Sequence, residues 1–139
     1  MPPFSPHPKR KHKARPKRTI DERHLGLVRQ LQCLACGAEP AEAAHIRYGD
    51  LLRGKPITGI GIRPDDKWTV PLCPRCHRLG PDSQHGCGER SWWEAHRIDP
   101  LDVAARLYEL SARGRNEGLA DGQNLQAMRT LIRRARRLS

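Results

Sequence analysis

Two short cysteine pairs constrain this chain more than any other feature. Cys33-Leu34-Ala35-Cys36 and Cys73-Pro74-Arg75-Cys76 each hold two thiols at x-x spacing, with 36 residues between the pairs. A tight turn lets both thiolates of such a pair reach one ion, and two pairs complete a tetrahedral four-sulfur zinc site. Four thiolates saturate the ion, so the expected zinc is structural and leaves no position open for a substrate. Cys87 is the odd cysteine, expected as a free thiol near the site and not as a ligand.

Composition points to the same dependence on metal. The 139 residues include one Phe, two Tyr and three Trp, and mean hydropathy is −0.76. A core this lean often needs a metal or a cross-link to stay folded. No run of 18 apolar residues occurs, which argues against a membrane span. The opening segment "MPPFSPHPKRKHKARPKR" is basic without an apolar stretch, unlike a secretory signal. The expected compartment is cytoplasmic, where paired cysteines bind metal more often than they form disulfides.

Net charge is +11, and its position is informative. Residues 1–18 carry seven cations (Lys9, Arg10, Lys11, Lys13, Arg15, Lys17 and Arg18) and no acid, and residues 129–137 carry five arginines and no acid. Taking seven and five from +11 leaves the remainder at −1. Cations interleaved with prolines, and an arginine-rich last helix, suit a polyanionic partner.

The chain divides into a disordered basic tail (1–18), a zinc-stabilised domain (19–113), and a linker with a basic helix (114–139). "TIDE" reads as a capping box with Thr19 as N-cap and Glu22 at N3, opening a helix to about Gln32 with Leu25, Val28 and either Leu31 or Leu27 inward. Strands are expected in "AAHIRY" and "KWTVPL", joined by the Gly/Pro-rich "GKPITGIGIRPDD". "PRCHRL" predicts one or two helical turns, and "ERSWWEAHR" a helix. "DPLDVAARLYELSARG" predicts a helix with Asp99 as N-cap, Pro100 at N1 and Gly114 as its stop; Leu101, Ala104, Ala105 and Tyr108 form its core face. A last helix is expected from about Gly122 to Leu138, with Leu125, Met128, Leu131 and Ile132 inward.

His77 follows the last zinc cysteine directly, so with the zinc saturated it must serve something else. His45 lies in the first strand candidate and His85 eight residues beyond His77. Closing the zinc site brings their segments together, and three histidines near one another suggest a second metal site with a base beside it. Trp92 and Trp93 point about 100° apart on a helix. Both can pack between helices, or one can stay at the surface as a platform for a nucleobase. Arg47, Lys55, Arg63 and Arg75 flank the proposed site as candidate phosphate ligands.

"CLACG…AAHIR…PDDKWTVPLCPRCH…QH" resembles the HNH, or ββα-metal (His-Me finger), endonucleases that carry a double-CxxC zinc. "AHIR", "KPITGIGIRPDD", "VPLCPRCH" and "ERSWWEAHRIDPL" resemble more narrowly the Ref-like recombination nucleases of phages and prophages, over roughly residues 21–110. The resemblance implies a small α+β fold with a treble-clef-like ββα-metal core and flanking helices. It implies His45 as the general base, and His77 and His85 as ligands of a catalytic Mg²⁺ or Mn²⁺. DNA, single- or double-stranded, would be the substrate, with a recombination protein as a further partner. Two departures stand out. Family members commonly carry Asp or His directly before the base histidine, where this chain has Ala44; Asp50 and Asp82 are the carboxylates available instead. The family's central Asn is also absent, and Asp65 and Asp66 lie in its region; Asp66 is the expected holder of His45 through the ring N–H. Ala44 favours a second reading, a non-catalytic zinc-stabilised nucleic-acid-binding protein. A third is an adaptor that scaffolds an assembly through its basic tails.

Overall fold

The computed structural model describes residue 3, residues 18–57 and residues 63–137. Lys9, Arg10, Lys11, Lys13, Arg15 and Lys17, part of the long loop, and the expected end of the last helix at Leu138 lie outside the described residues.

Among the described residues the chain is a small α+β fold of six helices and one two-stranded sheet. Strand β1 (Glu42–His45) pairs antiparallel with β2 (Thr69–Leu72), Glu42 lying opposite Leu72 and His45 opposite Thr69. Both strands are shorter than the sequence suggests. The Ile46 amide still donates to Trp68 O, but the Arg47 and Tyr48 amides turn to the Glu89 carboxylate, at 2.7 and 3.3 Å. This contact ends β1 and ties it to helix α4 (Glu89–His96).

Helix α1 (Glu22–Val28) starts at a different cap from the one expected. Asp21, not Thr19, is the N-cap, its Oδ1 accepting from the His24 amide at 3.0 Å. Thr19 is otherwise engaged: its amide donates to Asp65 Oδ1 and its carbonyl accepts from the Asp66 amide. After Val28 the chain tightens, with Gln30 N bonded to Leu27 O and Leu31 N to Val28 O. The helix thus ends before Gln32, and a compact turn delivers Cys33.

Helix α5 (Pro100–Asn116) begins as its sequence predicts, Asp99 Oδ1 accepting from the Leu101 and Asp102 amides with Pro100 in the first turn. Its end is not at Gly114. Gly118 N reaches Arg115 O, Leu119 N reaches Gly114 O, and Gly118 has φ +67°, the hydrogen-bond pattern of a Schellman stop. Gly114 is instead the place where helix α6 (Asp121–Arg137) comes close: a Cβ there would lie 2.4 Å from Asn124 Oδ1. The buried face of α5 is Leu101, Val103, Ala104, Leu107, Ser111 and Gly114; Ala105 and Tyr108 are only half-buried.

One apolar cluster joins Leu27, Val28 and Leu31 to Ala44, Val70 and Leu72 of the sheet, and to Leu101, Ala104 and Leu107 of α5. Leu125, Met128 and Ile132 of α6 belong to the same cluster. The helix expected as an appended segment therefore shares the core. Trp92 and Trp93 are both buried, edge to face at 4.9 Å, and Trp92 Nε1 donates to Asp82 O at 2.8 Å. Neither is a surface platform, because the short α4 is packed along both of their directions.

Gly114→Ala should destabilise the fold. Alanine favours a helix by about 1 kcal/mol over glycine, but Asn124 is buried, donates to Leu110 O at 3.0 Å and cannot swing aside cheaply. Overpacking of this kind costs about 1–3 kcal/mol. Denaturant unfolding should show a lower midpoint at unchanged slope; a midpoint at or above wild type would remove the close contact.

His24 supplies a pH dependence. Its ring is fully buried with no hydrogen bond to either nitrogen, edge-on to Tyr108 at 5.1 Å. Burial lowers its pKa from 6.5 to about 4, against the opposing pull of Asp21 and Asp66. The unfolded chain therefore takes up a proton as pH falls below 6.5 while the folded chain does not, and stability drops from there down to about pH 4. Between pH 7 and pH 5 the loss should be about 2 kcal/mol. His24→Leu should remove that part of the difference; an unchanged gap between the two pH values would show that His24 titrates normally.

Candidate functional site

The two cysteine pairs meet. Cys33, Cys36, Cys73 and Cys76 place their Sγ atoms within 4.8 Å of one another, with Cys36 and Cys73 3.6 Å apart. Sulfurs 2.3 Å from a tetrahedral zinc stand about 3.8 Å apart, so the cluster has the dimensions of a zinc site. Backbone turns hold it open to an ion. Gly37, at φ +80°, lets its amide return to Cys33 O, and Cys36 N donates to Cys33 Sγ at 3.5 Å. Cys73 caps helix α2 (Pro74–His77), a single turn opened by Pro74. The Leu34 amide donates to Pro71 O and fixes the first pair against β2. Burial raises the Cys33 and Cys76 thiols, and mutual repulsion adds to this at Cys76. Cys36 is also desolvated, but the Ala38 amide and the neighbouring thiols draw it down to about 7. Such a set of sulfur donors fits a divalent soft cation, which would neutralise what the thiols cannot. Cys87 is exposed and donates to Pro81 O, apart from the cluster.

At the end of β1, His45 meets Asp66. His45 Nε2 lies 2.9 Å from Asp66 Oδ1, and Asp66 is fully buried. Asp66 is desolvated, yet the Asp21 amide, the His45 ring and the Arg18 guanidinium together hold its carboxyl below the usual range. An ionised carboxylate only accepts, so a neutral His45 donates from Nε2 and keeps its lone pair on Nδ1. Burial is the main reason that His45 titrates below an ordinary histidine; Asp66 opposes this, and Arg63 and Arg18 add to it.

His45 opens on a cavity of about 410 Å³ whose wall also carries His77 and His85, with Glu42, Arg47 and Arg63 around them. The His77 and His85 rings stand edge to face, with centroids 4.6 Å apart. His77 comes from α2 and His85 from helix α3 (Gln84–Cys87), a turn absent from the sequence expectations, capped by Ser83 on the Gly86 amide. Glu42 was missed by sequence reasoning. Its Oε1 lies 3.0 Å from His77 Nδ1, and Arg78 forks onto the same carboxylate at 3.0–3.2 Å. A carboxylate on Nδ1 fixes the ring and leaves Nε2 as the donor for a ligand. The signal was available: a strand starting one residue earlier sets Glu42 opposite Leu72, next to the second cysteine pair.

Several expected side chains are placed elsewhere. Asp50 caps the short 3₁₀ turn Leu51–Arg53 and pairs with Arg53, and Asp82 lies on the wall of a separate hollow with Cys36, Cys76 and Trp92. Asp65 accepts from the Thr19 amide. Ala44 is fully buried opposite Val70, so the position before His45 belongs to the core. Lys55 is a correction: it is 1 % exposed, its Nζ donates to Arg47 O at 3.2 Å, and burial lowers its pKa, so it does not reach out to phosphates. Arg18 is another, since it binds Asp66 Oδ1 at 2.6 Å and Pro64 O at 3.0 Å. Arg75 is exposed on the Cys36–Cys76 hollow, not on the histidine cavity. Arg47 and Arg63 do line that cavity, joined by Arg29, which sequence reasoning did not single out. A larger hollow of about 590 Å³, between the 48–52 segment and α4, contains none of the histidines.

Among the described residues the four cysteines are the single group of three or more candidate donors close enough to share one ion; His77 and His85 offer two nitrogens. Among the described residues no helix is long and apolar enough to cross a membrane. The chain matches no protein-family model, no curated protein and no solved structure.

Cys73→Ser should lower zinc from one ion per chain and abolish cooperative unfolding, since apparent structural zinc binding is worth about 10–16 kcal/mol. Cys87→Ser should change neither. Metal analysis with thermal unfolding reads both, and a Cys73→Ser protein that unfolds cooperatively without zinc would refute the four-thiolate site.

Proposed function

We propose that the chain is a metal-dependent DNA endonuclease of the HNH type, with a zinc-braced ββα-metal core and a phage or prophage origin. The observation that carries this reading is the His45–Asp66 pair on the wall of the cavity that His77 and His85 share. His45 Nδ1 takes the proton of a water that attacks phosphorus. Asp66 holds the ring in the tautomer that makes Nδ1 the acceptor, and stabilises the imidazolium that forms. Arg47, Arg63 and Arg29 line the cavity with positive charge suited to a phosphodiester. His77, oriented by Glu42, and His85 would hold a Mg²⁺ or Mn²⁺ ion. Such an ion supplies charge to polarise the phosphate and to neutralise the departing oxygen. Two protein ligands are compatible with Mg²⁺, which keeps several waters and binds substrate phosphates. Beyond the cavity, the chain's +11 charge fits DNA as the partner. Cytoplasmic action on DNA, with a recombination protein as a further partner, belongs to the same reading.

The buried Ala44 and the two-nitrogen donor set favour one alternative, a zinc-stabilised nucleic-acid-binding protein without catalysis. Incubating plasmid and single-stranded DNA with purified protein and Mg²⁺ or Mn²⁺ separates the two. His45→Ala should slow cleavage by about 10²–10⁴ while zinc content and DNA affinity persist, and His77→Ala should shift the Mg²⁺ or Mn²⁺ titration midpoint upward. Wild-type protein that binds DNA but never cleaves it would establish the alternative; full cleavage by His45→Ala would remove the assigned base.

A further inference from the structure

We infer that Arg18 is a positioning residue for His45, holding a permanent positive charge on the same carboxylate oxygen that accepts from the histidine ring. This rests on His45 acting as the base of the proposed reaction. Asp66 Oδ1 receives both Arg18 Nη2 at 2.6 Å and His45 Nε2 at 2.9 Å, while Oδ2 receives the Asp21 amide at 2.8 Å. Arg18 is fixed independently by Nε on Pro64 O, and its neighbour Thr19 is tied to Asp65 and Asp66. The guanidinium is thus built into the pair from the chain entering α1, not laid over it from the surface.

A buried carboxylate with one hydrogen-bonded histidine as its sole cation would draw a proton onto that ring and spoil it as a base. Arg18 carries a permanent charge and satisfies the carboxylate without His45 having to protonate. Other charged groups act on His45 as well. Arg63 opposes its protonation from the segment that leads to Asp66. Glu42 and Arg47 on its own strand and the following turn, Arg29 of α1, and His77 and His85 line the cavity beside it. Glu42 is engaged by Arg78 and His77. Among these groups Arg18 alone shares an oxygen with His45. Because Oδ2 stays on the Asp21 amide, removing Arg18 leaves the carboxylate in place and changes its charge balance.

The test is the titration of the His45 ring by NMR in full-length, zinc-loaded protein without added Mg²⁺ or Mn²⁺. In Arg18→Gln the midpoint should rise by about one pH unit. Arg18→Lys returns a cation and should bring the midpoint most of the way back. Arg18→Ala serves as a second neutral variant, should Arg18→Gln fail to retain zinc and helix content. If the protein cleaves DNA, the acid limb of its rate profile should move upward in step. An unchanged or lowered midpoint in the neutral variant overturns the inference, as does an equal rise in Gln and Lys variants. The titration needs no cleavage, so an inactive wild-type protein would defeat the nuclease reading and leave the charge effect on His45 still measurable.

Discussion

Four sulfur atoms drawn to one point set the geometry of everything around them. Closing the loop between the pairs from an unfolded chain costs about 4 kcal/mol by the chain-entropy relation, well below the apparent zinc affinity of about 10–16 kcal/mol. The join is rigid because each pair is anchored to the sheet: β2 runs directly into Cys73, and Leu34 donates to Pro71 O. Once the pairs meet, β1 has little choice of register. Glu42 arrives opposite Leu72 and beside the turn that bears His77, and His45 arrives opposite Thr69, three residues from Asp66. A zinc ion held by the four sulfurs would thus give a chain with so few aromatic groups placement at its cavity from metal geometry more than from bulk hydrophobic burial.

Asp66 organises the end of β1. Burying a carboxylate without partners costs several kcal/mol, and here every oxygen is occupied: Arg18 and His45 on Oδ1, the Asp21 amide on Oδ2. The Asp66 carbonyl accepts from Thr69 Oγ1 at 2.9 Å, so the residue is also pinned to β2. Three segments, the approach to α1, the loop before β2 and the end of β1, converge on one side chain. Buried ion pairs often add little net stability, but truncating one partner costs about 3–5 kcal/mol. The network therefore fixes the His45 ring in place, which is what the proposed base would need.

How much of this was legible in the residues depended on the range of the signal. The cysteine pairs could be read because x-x spacing is a local fact that fixes two thiols together. Asp99 with Pro100 could be read for the same reason, since a cap acts within one turn. Gly114 was misread because a glycine at a helix end looks the same whether it supplies a positive φ or makes room for Asn124; the positive φ fell four residues later, at Gly118. Lys55 and Arg18 were misread because counting charge does not reveal exposure: one is sealed under the Arg47 carbonyl, the other spent on Asp66. Thr19 lost its capping role to a tertiary contact with Asp65 and Asp66. Asp66 was expected only through the resemblance, as a carboxylate in the region of the family's missing Asn, whereas Glu42 needed the register.

The residue before His45 decides how a divalent ion could be held on the proposed reading. Side chains alternate across a strand, and Ala44 faces Val70 with no exposure at all, packed among Leu27, Leu72 and Leu107. A carboxylate or imidazole at that position would be buried in apolar surroundings and would cost several kcal/mol unless a metal drew it out. The strand instead carries its acid at Glu42, two residues earlier on the same alternation, where Arg78 and His77 share it. On that reading Glu42 would act through His77 by fixing its ring, while the Arg78 guanidinium holds the Glu42 carboxyl below its usual range. A site of this kind has fewer protein ligands but better oriented ones. The remaining positions fall to water and to the phosphate oxygens of the substrate, so ion and DNA would bind with mutual reinforcement, each completing what the other needs.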